Sequence, residues 1–451
     1  MNRAASKLQS RLLSGGILTM LARVYMMGLI LLINIVVAKS MLPADCGTFV
    51  LGTNIVVFVC LLAMGGLEQV AVKLIAGDAG RTSRVTTSHL LRRLSVVFVV
   101  CLAAAGIISF VALLGPVGRW LAFPKELTGL VLCCAVLLSV LKLLSVYLRS
   151  FHAVGLASLF DGRTGGIFNN SLLLLVMLII PAARTQNSVL YAVLAVSLAL
   201  SLPLAAIQLR KVWSRLVFQD DGSQTPIPVK RFSYGMIFAS SAPLLLTQIA
   251  AQTEIDVWLA GAWVSREDLA LYGLTRRLII QTIVSGQILN LMISSSVAEL
   301  YGRGQKAELE RMLRSTATFA ALISFAAQGV LVLFHGPILE ILFGSFYVQA
   351  GTILTIMVVG EVINAASGSC GLTLALAGKG RVLLIANVLC AAIQFIIGTW
   401  AVRNYGIVGL SIVTAASRSI LFISLWLLAR IYAGVWTHPT LSPLKAFRSL
   451  S

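Results

Sequence analysis

Residues 94–115 read Leu-Ser-Val-Val-Phe-Val-Val-Cys-Leu-Ala-Ala-Ala-Gly-Ile-Ile-Ser-Phe-Val-Ala-Leu-Leu-Gly, without one charged side chain. A helix that is apolar all round lies inside a large core or inside a bilayer. At 1.5 Å per residue this stretch reaches about 33 Å, enough for about 30 Å of hydrocarbon. Working outward from it, eleven more apolar windows appear, giving approximate limits of 13–37, 47–72, 94–115, 127–148, 154–181, 189–209, 233–259, 269–298, 313–334, 350–376, 382–402 and 405–429. Each is 21 to 30 residues long, so each can span with some tilt. Pro203 and Pro243 fall inside two of them, where neighbouring helices must satisfy the freed carbonyls and kinks are expected.

The composition agrees. Of 451 residues, 58% are apolar and 11% charged, against about 25% charged in soluble domains. That supply cannot coat a water-facing surface over this length. It excludes a cytosolic enzyme, a secreted disulfide scaffold and a disordered tail, and leaves an all-α, polytopic membrane protein. Arg3, Lys7 and Arg11 before an apolar run resemble a signal peptide, but the run continues to Val37. That is too long for a cleaved apolar region, so the first transmembrane helix is expected there. The cysteines (46, 60, 101, 133, 134, 370, 390) are scattered without a C-x-x-C and read as small core hydrophobes; the histidines (89, 152, 335, 438) stand apart, so no metal or cofactor site is expected.

Net charge is +19, and its placement argues against nucleic acid. With the N-terminus in the cytoplasm, 23 Lys and Arg fall on the cytoplasmic side: Arg3, Lys7, Arg11, Lys73, Arg81, Arg84, Arg92, Arg93, Arg149, Arg210, Lys211, Arg215, Lys230, Arg231, Arg303, Lys306, Arg311, Arg314, Lys379, Arg381, Arg430, Lys445 and Arg448. The opposite side holds 6: Lys39, Arg119, Lys125, Arg184, Arg266 and Arg403. The excess follows the positive-inside rule and predicts an even number of spans with both termini cytoplasmic. Loops are short, leaving no room for a soluble catalytic domain.

The most polar stretch, 210–232, contains Asp220, Asp221, Gly222 and two prolines. It divides the chain into an N-terminal six-helix lobe (1–218), a cytoplasmic linker (219–232) and a C-terminal six-helix lobe with a short tail (233–451). The halves echo each other weakly: a long helix, a tight outward turn with an acid (Asp45; Glu267 and Asp268), and a long returning helix. Parallel repeats of this kind, related by a pseudo-two-fold axis along the membrane normal, are a transporter architecture with the substrate site between the halves.

Six cations remain at membrane depth: Arg23, Lys142, Arg163, Arg276, Arg277 and Arg418. Such a group usually faces a wet cavity or a partner. Arg23 lies about 15 Å into the first span, Arg276 and Arg277 about a third of the way into the eighth, and Arg418 near the centre of the twelfth. Lys142 and Arg163 are near enough to the cytoplasmic ends to snorkel. Adjacent residues on a helix point about 100° apart, so Arg276 and Arg277 cannot both face one target. Among the acids, Glu254 and Asp256 lie at a depth matching Arg276 and Arg277 across the turn, where an ion pair would bridge the hairpin. Glu361 is central, either carrying a coupling ion or neutralising one arginine; Glu68 and Asp161 lie nearer water. Central cations outnumber the clearly central acid, so the expected cavity is positive and suits an anionic, phosphate-bearing passenger. Asn34, Asn54, Asn169, Asn170, Gln248, Gln252, Asn290, Ser294 to Ser296 and Asn364 either line the same space or bond between helices.

Several motifs resemble one family. The run Ala38-Lys39-Ser40-Met41-Leu42-Pro43-Ala44-Asp45-Cys46-Gly47-Thr48-Phe49 is similar to the first outward turn of polysaccharide and O-antigen flippases, as is Gly65-Gly66-Leu67-Glu68-Gln69-Val70 closing the second span. In the second half the same pattern is met by Asp256, by Tyr272-Gly273-Leu274, by Ile341-Leu342-Phe343-Gly344-Ser345-Phe346-Tyr347, by Ala377-Gly378-Lys379-Gly380-Arg381 and by Tyr405-Gly406-Ile407-Val408-Gly409. The ordered set resembles the Wzx-type oligosaccharide flippases of the multidrug/oligosaccharidyl-lipid/polysaccharide exporter superfamily. The resemblance implies a two-lobed alternating-access transporter, not an enzyme. It implies movement of undecaprenyl-diphosphate-linked sugar repeats across the bacterial inner membrane for polysaccharide or lipopolysaccharide O-antigen synthesis. Implied partners are that substrate, membrane lipid, H+ or Na+, and a polysaccharide polymerase with its chain-length machinery. Arg23, Arg276, Arg277 and Arg418 are the candidate substrate-binding cations; Glu361, Glu254 and Asp256 are candidates for ion coupling or structural pairing. No thirteenth and fourteenth spans appear, which argues against the lipid II branch. The alternative is a multidrug cation antiporter of the same superfamily, which would want central acids. A membrane polymerase or ligase would need larger outward loops.

Overall fold

The computed structural model describes residues 2–76, 84–151, 153–216, 233–252 and 254–440, with side chains from 21 onward apart from a few positions. The expected linker 219–232 and the tail beyond 440 lie outside the described residues, as do the side chains of Arg3, Lys7, Arg11, Gln252 and Ser295. The described chain is helical, with one isolated bridge between Arg163 and Gly165. Among the described residues, ten helices are long and apolar enough to cross a membrane. The difference from twelve expected spans has two causes. The last two windows fall in one continuous helix, Gly380–Ala433, bent at Gly406 where φ is 60° and ψ is −149°. The fifth window is broken into two shorter helices.

In chain order the helices are α1 (Asn2–Ser40), α2 (Pro43–Met64), α3 (Leu67–Ala76), α4 (Arg84–Leu114), α5 (Pro116–Trp120), α6 (Lys125–Ser150), α7 (Val154–Ser158), α8 (Ile167–Ile179), α9 (Ala182–Thr185), α10 (Asn187–Arg215), α11 (Tyr234–Gln252), α12 (Ile255–Trp263), α13 (Arg266–Ile280), α14 (Val284–Gly302), α15 (Lys306–Leu333), α16 (His335–Phe343), α17 (Gly351–Ser367), α18 (Cys370–Leu376) and α19 (Gly380–Ala433). Two 3-10 segments, Gln281–Ile283 and Ser345–Ala350, join α13 to α14 and α16 to α17. Pro203 lies inside α10 and Pro243 inside α11, as expected.

Local chemistry explains the breaks. Between α7 and α8 runs Asp161-Gly162-Arg163-Thr164-Gly165-Gly166, too glycine-rich and polar to hold helix. The carbonyls it frees find buried amides instead. Asn169 Nδ2 donates to the Thr164 carbonyl at 2.8 Å, and Asn170 Nδ2 to those of Gly165 and Gly166 at 3.0 and 2.9 Å. Helix α2 stops at Gly65, whose φ of 56° is left-handed; at Gly66 a Cβ would come within 2.3 Å of the Ser241 carbonyl. Helix α13 starts cleanly, because Ser265 Oγ accepts the Asp268 N–H at 3.0 Å and Glu267 and Asp268 fill the first turn.

The chain forms two compact units. The first contains Met1–Leu42 and Leu51–Ile249; the second contains Pro43–Val50 and Ala250–Ser451. This differs from a division at 218 and 233 in two segments. The α2 start belongs to the second unit, where Gly47 packs on the Arg266 carbonyl and Val50 on Gly273. Most of α11 belongs to the first, through the approach of Gly66 to Ser241 and a stack of Arg93 on Tyr234.

Candidate functional site

Within the second unit, the turn at Val264 and Ser265 folds α12 back on α13. That hairpin brings Asp256 and Arg276 to one level. Arg276 Nη1 lies 2.6 Å from Asp256 Oδ2, and its Nε lies 3.5 Å from Glu254 Oε1. Asp256 is 1% exposed and Glu254 7%. Tyr272, one turn before Arg276, donates its hydroxyl to Asp256 Oδ2 at 2.7 Å. The same hydroxyl is 3.0 Å from Thr414 Oγ1 on α19, which in turn accepts from Gln394 Nε2 at 3.4 Å. Arg277, the next residue, turns away and stacks over Phe49 at 5.2 Å, as the 100° step requires.

A second pair completes the cluster. Arg418 Nη2 on α19 lies 2.6 Å from Glu361 Oε1 on α17. Asn364 Nδ2 donates to the other carboxylate oxygen at 2.8 Å, and Arg418 rests over Phe422 at 5.5 Å. A narrow cleft lined by Arg276, Glu361, Thr414 and Arg418, with Ile279, Ile280 and Met357, joins the two pairs. It holds about 10 Å³ open to a water's centre, room for about one molecule. The Nε–H of Arg276 and that of Arg418 have no hydrogen-bond acceptor, and a water in the cleft would supply one.

This arrangement corrects the expected sign of charge here. Arg276 and Arg418 are not free cations awaiting an anion; each is held by a carboxylate. The unit's membrane-depth arginines 276, 277 and 418 are matched three for three by Glu254, Asp256 and Glu361. The reason is burial: an uncompensated guanidinium at these positions would be costly, so carboxylates at equal depth pair with it. Each of these acids lies against an arginine in this arrangement. Tyr272 and Thr414 went unassigned in the sequence. The spacing that places Tyr272 one turn from Arg276, on the face of Asp256, is the signal that would have found Tyr272; Thr414 comes from a distant helix and left none.

The first unit is different. Lys142 Nζ pairs with Glu68 Oε1 at 2.8 Å, and Arg149 pairs with Asp161. Arg163 donates to Asn54 Oδ1 at 3.0 Å. Arg23 is exposed, and no described carboxylate pairs with it. It lies on the same helical stripe as Met26, Ile33 and Val37, which are buried, but beyond the point where that stripe is covered. Met26 meets the α7–α8 break, where its sulfur accepts from Asn170 Nδ2 at 3.5 Å. At membrane depth this unit thus carries Arg23, Lys142 and Arg163 against Glu68 and Asp161, the latter paired to the loop cation Arg149, a positive balance. Among the described residues, no group of three His, Cys, Asp or Glu is placed to hold a metal ion.

Residues 243–400 match the MatE family model. The chain is 20% identical over 166 residues to the probable low-salt glycan biosynthesis flippase Agl15 of Haloferax volcanii; the match spans 37% of this chain and 35% of that protein. Among solved structures it resembles the Vibrio cholerae MATE transporter VcmN, with 14% identity, a TM-score of 0.63, and 94% of this chain and 97% of that one covered. It also resembles the inward-facing form of a multidrug resistance MATE family transporter of the MOP superfamily, with 15% identity, a TM-score of 0.61, and coverage of 90% and 94%. The chain is therefore a multi-pass, all-helical membrane protein with the fold of the MATE transporters, and residues 243–400 carry the MatE sequence pattern.

Proposed function

We propose that this protein is an alternating-access flippase that moves an undecaprenyl-diphosphate-linked oligosaccharide across the bacterial inner membrane for polysaccharide or O-antigen synthesis. The observation that carries the reading is the charge of the first unit. Arg23 stands about 15 Å into the first span, exposed, one turn before buried Met26 and without a described carboxylate partner. A guanidinium kept there at a cost of about 2.5–3.5 kcal/mol in insertion needs an anion to meet, and its planar fork suits phosphate oxygens. The partial match to a probable glycan biosynthesis flippase supports a glycan-bearing cargo. In this reading the second unit's neutral network supplies the moving element, with Glu361 as the group through which H+ or Na+ would act.

A multidrug cation antiporter is the second reading, favoured by the buried carboxylates Glu254, Asp256 and Glu361. Deleting the gene separates the two. A flippase deletion accumulates undecaprenyl-linked repeat units in the inner leaflet and loses surface glycan; both are restored by the wild-type gene. Normal glycan display with increased sensitivity to cationic dyes would overturn the flippase reading.

A further inference from the structure

The last described residues are built into the second unit. Helix α19 ends at Gly434, where a φ of 78° reverses the chain and the N–H donates to the Ala429 and Arg430 carbonyls at 3.1 Å. Residues 435–440 then run without regular structure, yet Val435 and Thr437 are fully buried. Val435 joins the core of Ile293, Val297, Leu309 and Leu313. The Trp436 N–H donates to Glu310 Oε2 at 3.1 Å, and the Thr440 N–H to Thr318 Oγ1 at 2.8 Å, fixing the segment along α15. Thr437 Oγ1 donates to the Ser367 carbonyl at 2.6 Å. Its own carbonyl packs on Gly368, where a Cβ would come within 2.0 Å. Ser367 and Gly368 form the break between α17 and α18, and Gly368 has a φ of 66°. The strap therefore clasps the hinge of the helix that bears Glu361.

Its outer edge holds a titratable group. Trp426 and Trp436 lie tilted against each other with ring centres 4.7 Å apart, and His438 meets both edge-to-face at 5.5–5.6 Å. The Trp426 indole N–H donates to His438 Nδ1 at 3.1 Å, which needs a lone pair on that nitrogen.

We propose that residues 435–440 are an acid-released latch: the strap holds the α17–α18 hinge, and protonation of His438 loosens it. The charged groups around it are Glu310 and Arg314 on α15 and Arg430 on α19, which lies over the Trp436 ring at 5.1 Å. Burial, then Arg314, lowers the His438 pKa below its ordinary 6.5, against the opposing pull of Glu310. A lowered value means the strapped state prefers neutral imidazole. Its stabilisation is complete above the ordinary value and is lost as pH falls through the lowered one. The latch holds at neutral pH and opens in acid. Only the consequence for transport rests on the flippase reading; the latch itself does not.

The test is hydrogen exchange of the full-length protein in detergent, read by mass spectrometry and corrected for intrinsic rates. Protection of amides in 434–440 and 367–370 is expected to fall as pH drops from the ordinary histidine value to the lowered one, by at most about tenfold per pH unit across that interval, and to level off below it. His438→Asn keeps an acceptor that does not titrate, so it should hold protection flat with pH; His438→Gln is the second variant should the first misfold. Thr437→Val should reduce protection at every pH. Wild-type protection that ignores pH, or pH dependence that survives in the Asn and Gln variants, overturns the proposal. Neither result touches substrate, so the flippase reading stands or falls separately.

Discussion

Arg276→Ala tests the pairing in the second unit most directly. The side chain holds Asp256 at 2.6 Å and Glu254 at 3.5 Å, and both carboxylates are more than nine-tenths buried. Removing the guanidinium leaves two buried anions facing each other, with the Tyr272 hydroxyl bonded to one. Breaking a buried pair by deleting one partner costs about 3–5 kcal/mol. Each 1.4 kcal/mol is tenfold in an equilibrium, so the folded-to-unfolded ratio should drop by roughly 10²–10³·⁵. For a unit of about 200 residues that corresponds to a fall in melting temperature of about 6–20 °C. The assay is thermal unfolding of the purified protein in detergent, scored by loss of the monodisperse peak. Arg276→Met with Asp256→Asn, which removes both charges, should recover much of the loss. A single variant that melts within about 2 °C of wild type and yet fails to export glycan would refute this, and would return Arg276 to the role of a free cavity cation.

Three other outcomes follow from the same geometry. Arg23→Ala should cut glycan display at least tenfold with no change in melting temperature, and Arg23→Lys should restore part of it; a destabilised alanine variant would make Arg23 structural. Glu361→Gln frees Arg418, whose side chain is 27% exposed and so partly solvated. The expected cost is about 1–2 kcal/mol, together with loss of dependence on the ion gradient in a vesicle flipping assay; unchanged dependence would leave Glu361 a structural partner only. Gly47→Ala would put a Cβ 1.9 Å from the Arg266 carbonyl. A rigid backbone neighbour makes overpacking cost about 1–3 kcal/mol, measurable as a lower melting temperature, whereas Gly28→Ala, with nothing within 4 Å, should be neutral.

Hydropathy made the membrane class and most helices legible, because an apolar run of about 20 residues has few other places to go. It was blind to breaks. Residues 154–181 score as one span, yet Gly162, Gly165 and Gly166 interrupt it. The interruption survives only because Asn169 and Asn170 absorb the carbonyls, a solution that lies in three dimensions and not in the average of a window. The allegiance of Pro43–Val50 to the second unit was hidden for a related reason: it rests on Gly47 and Gly273 allowing close backbone approach. Charges were located by depth, but depth does not give direction. Arg276 and Asp256 could be placed at one level from their distances to the turn, and they do meet. Glu361 and Arg418 are 57 positions apart on separate helices, and nothing in their neighbourhoods announced the 2.6 Å contact.

That contact changes what the charge count means. A tally over the whole chain found more central cations than acids, and from it came an expected positive cavity. Resolved by unit, the excess at this depth belongs to the first, where Arg23, Lys142 and Arg163 stand against Glu68 and Asp161; the second balances three against three. A neutral, internally paired network is poorly suited to hold a diphosphate, because the anion would have to displace a carboxylate already in place at 2.6 Å. It is well suited to switching, because losing the charge of one partner would release the other and unbalance its neighbours through Tyr272, Thr414 and the shared cleft. The proposed function then divides into anion recognition in the first unit and charge-linked movement in the second, a division that mutagenesis can test. Substitutions of Arg23 should change affinity for the lipid-linked substrate and leave the response to the ion gradient intact. Substitutions of Glu361 should do the reverse, and a variant of either kind that altered both together would collapse the division into a single site.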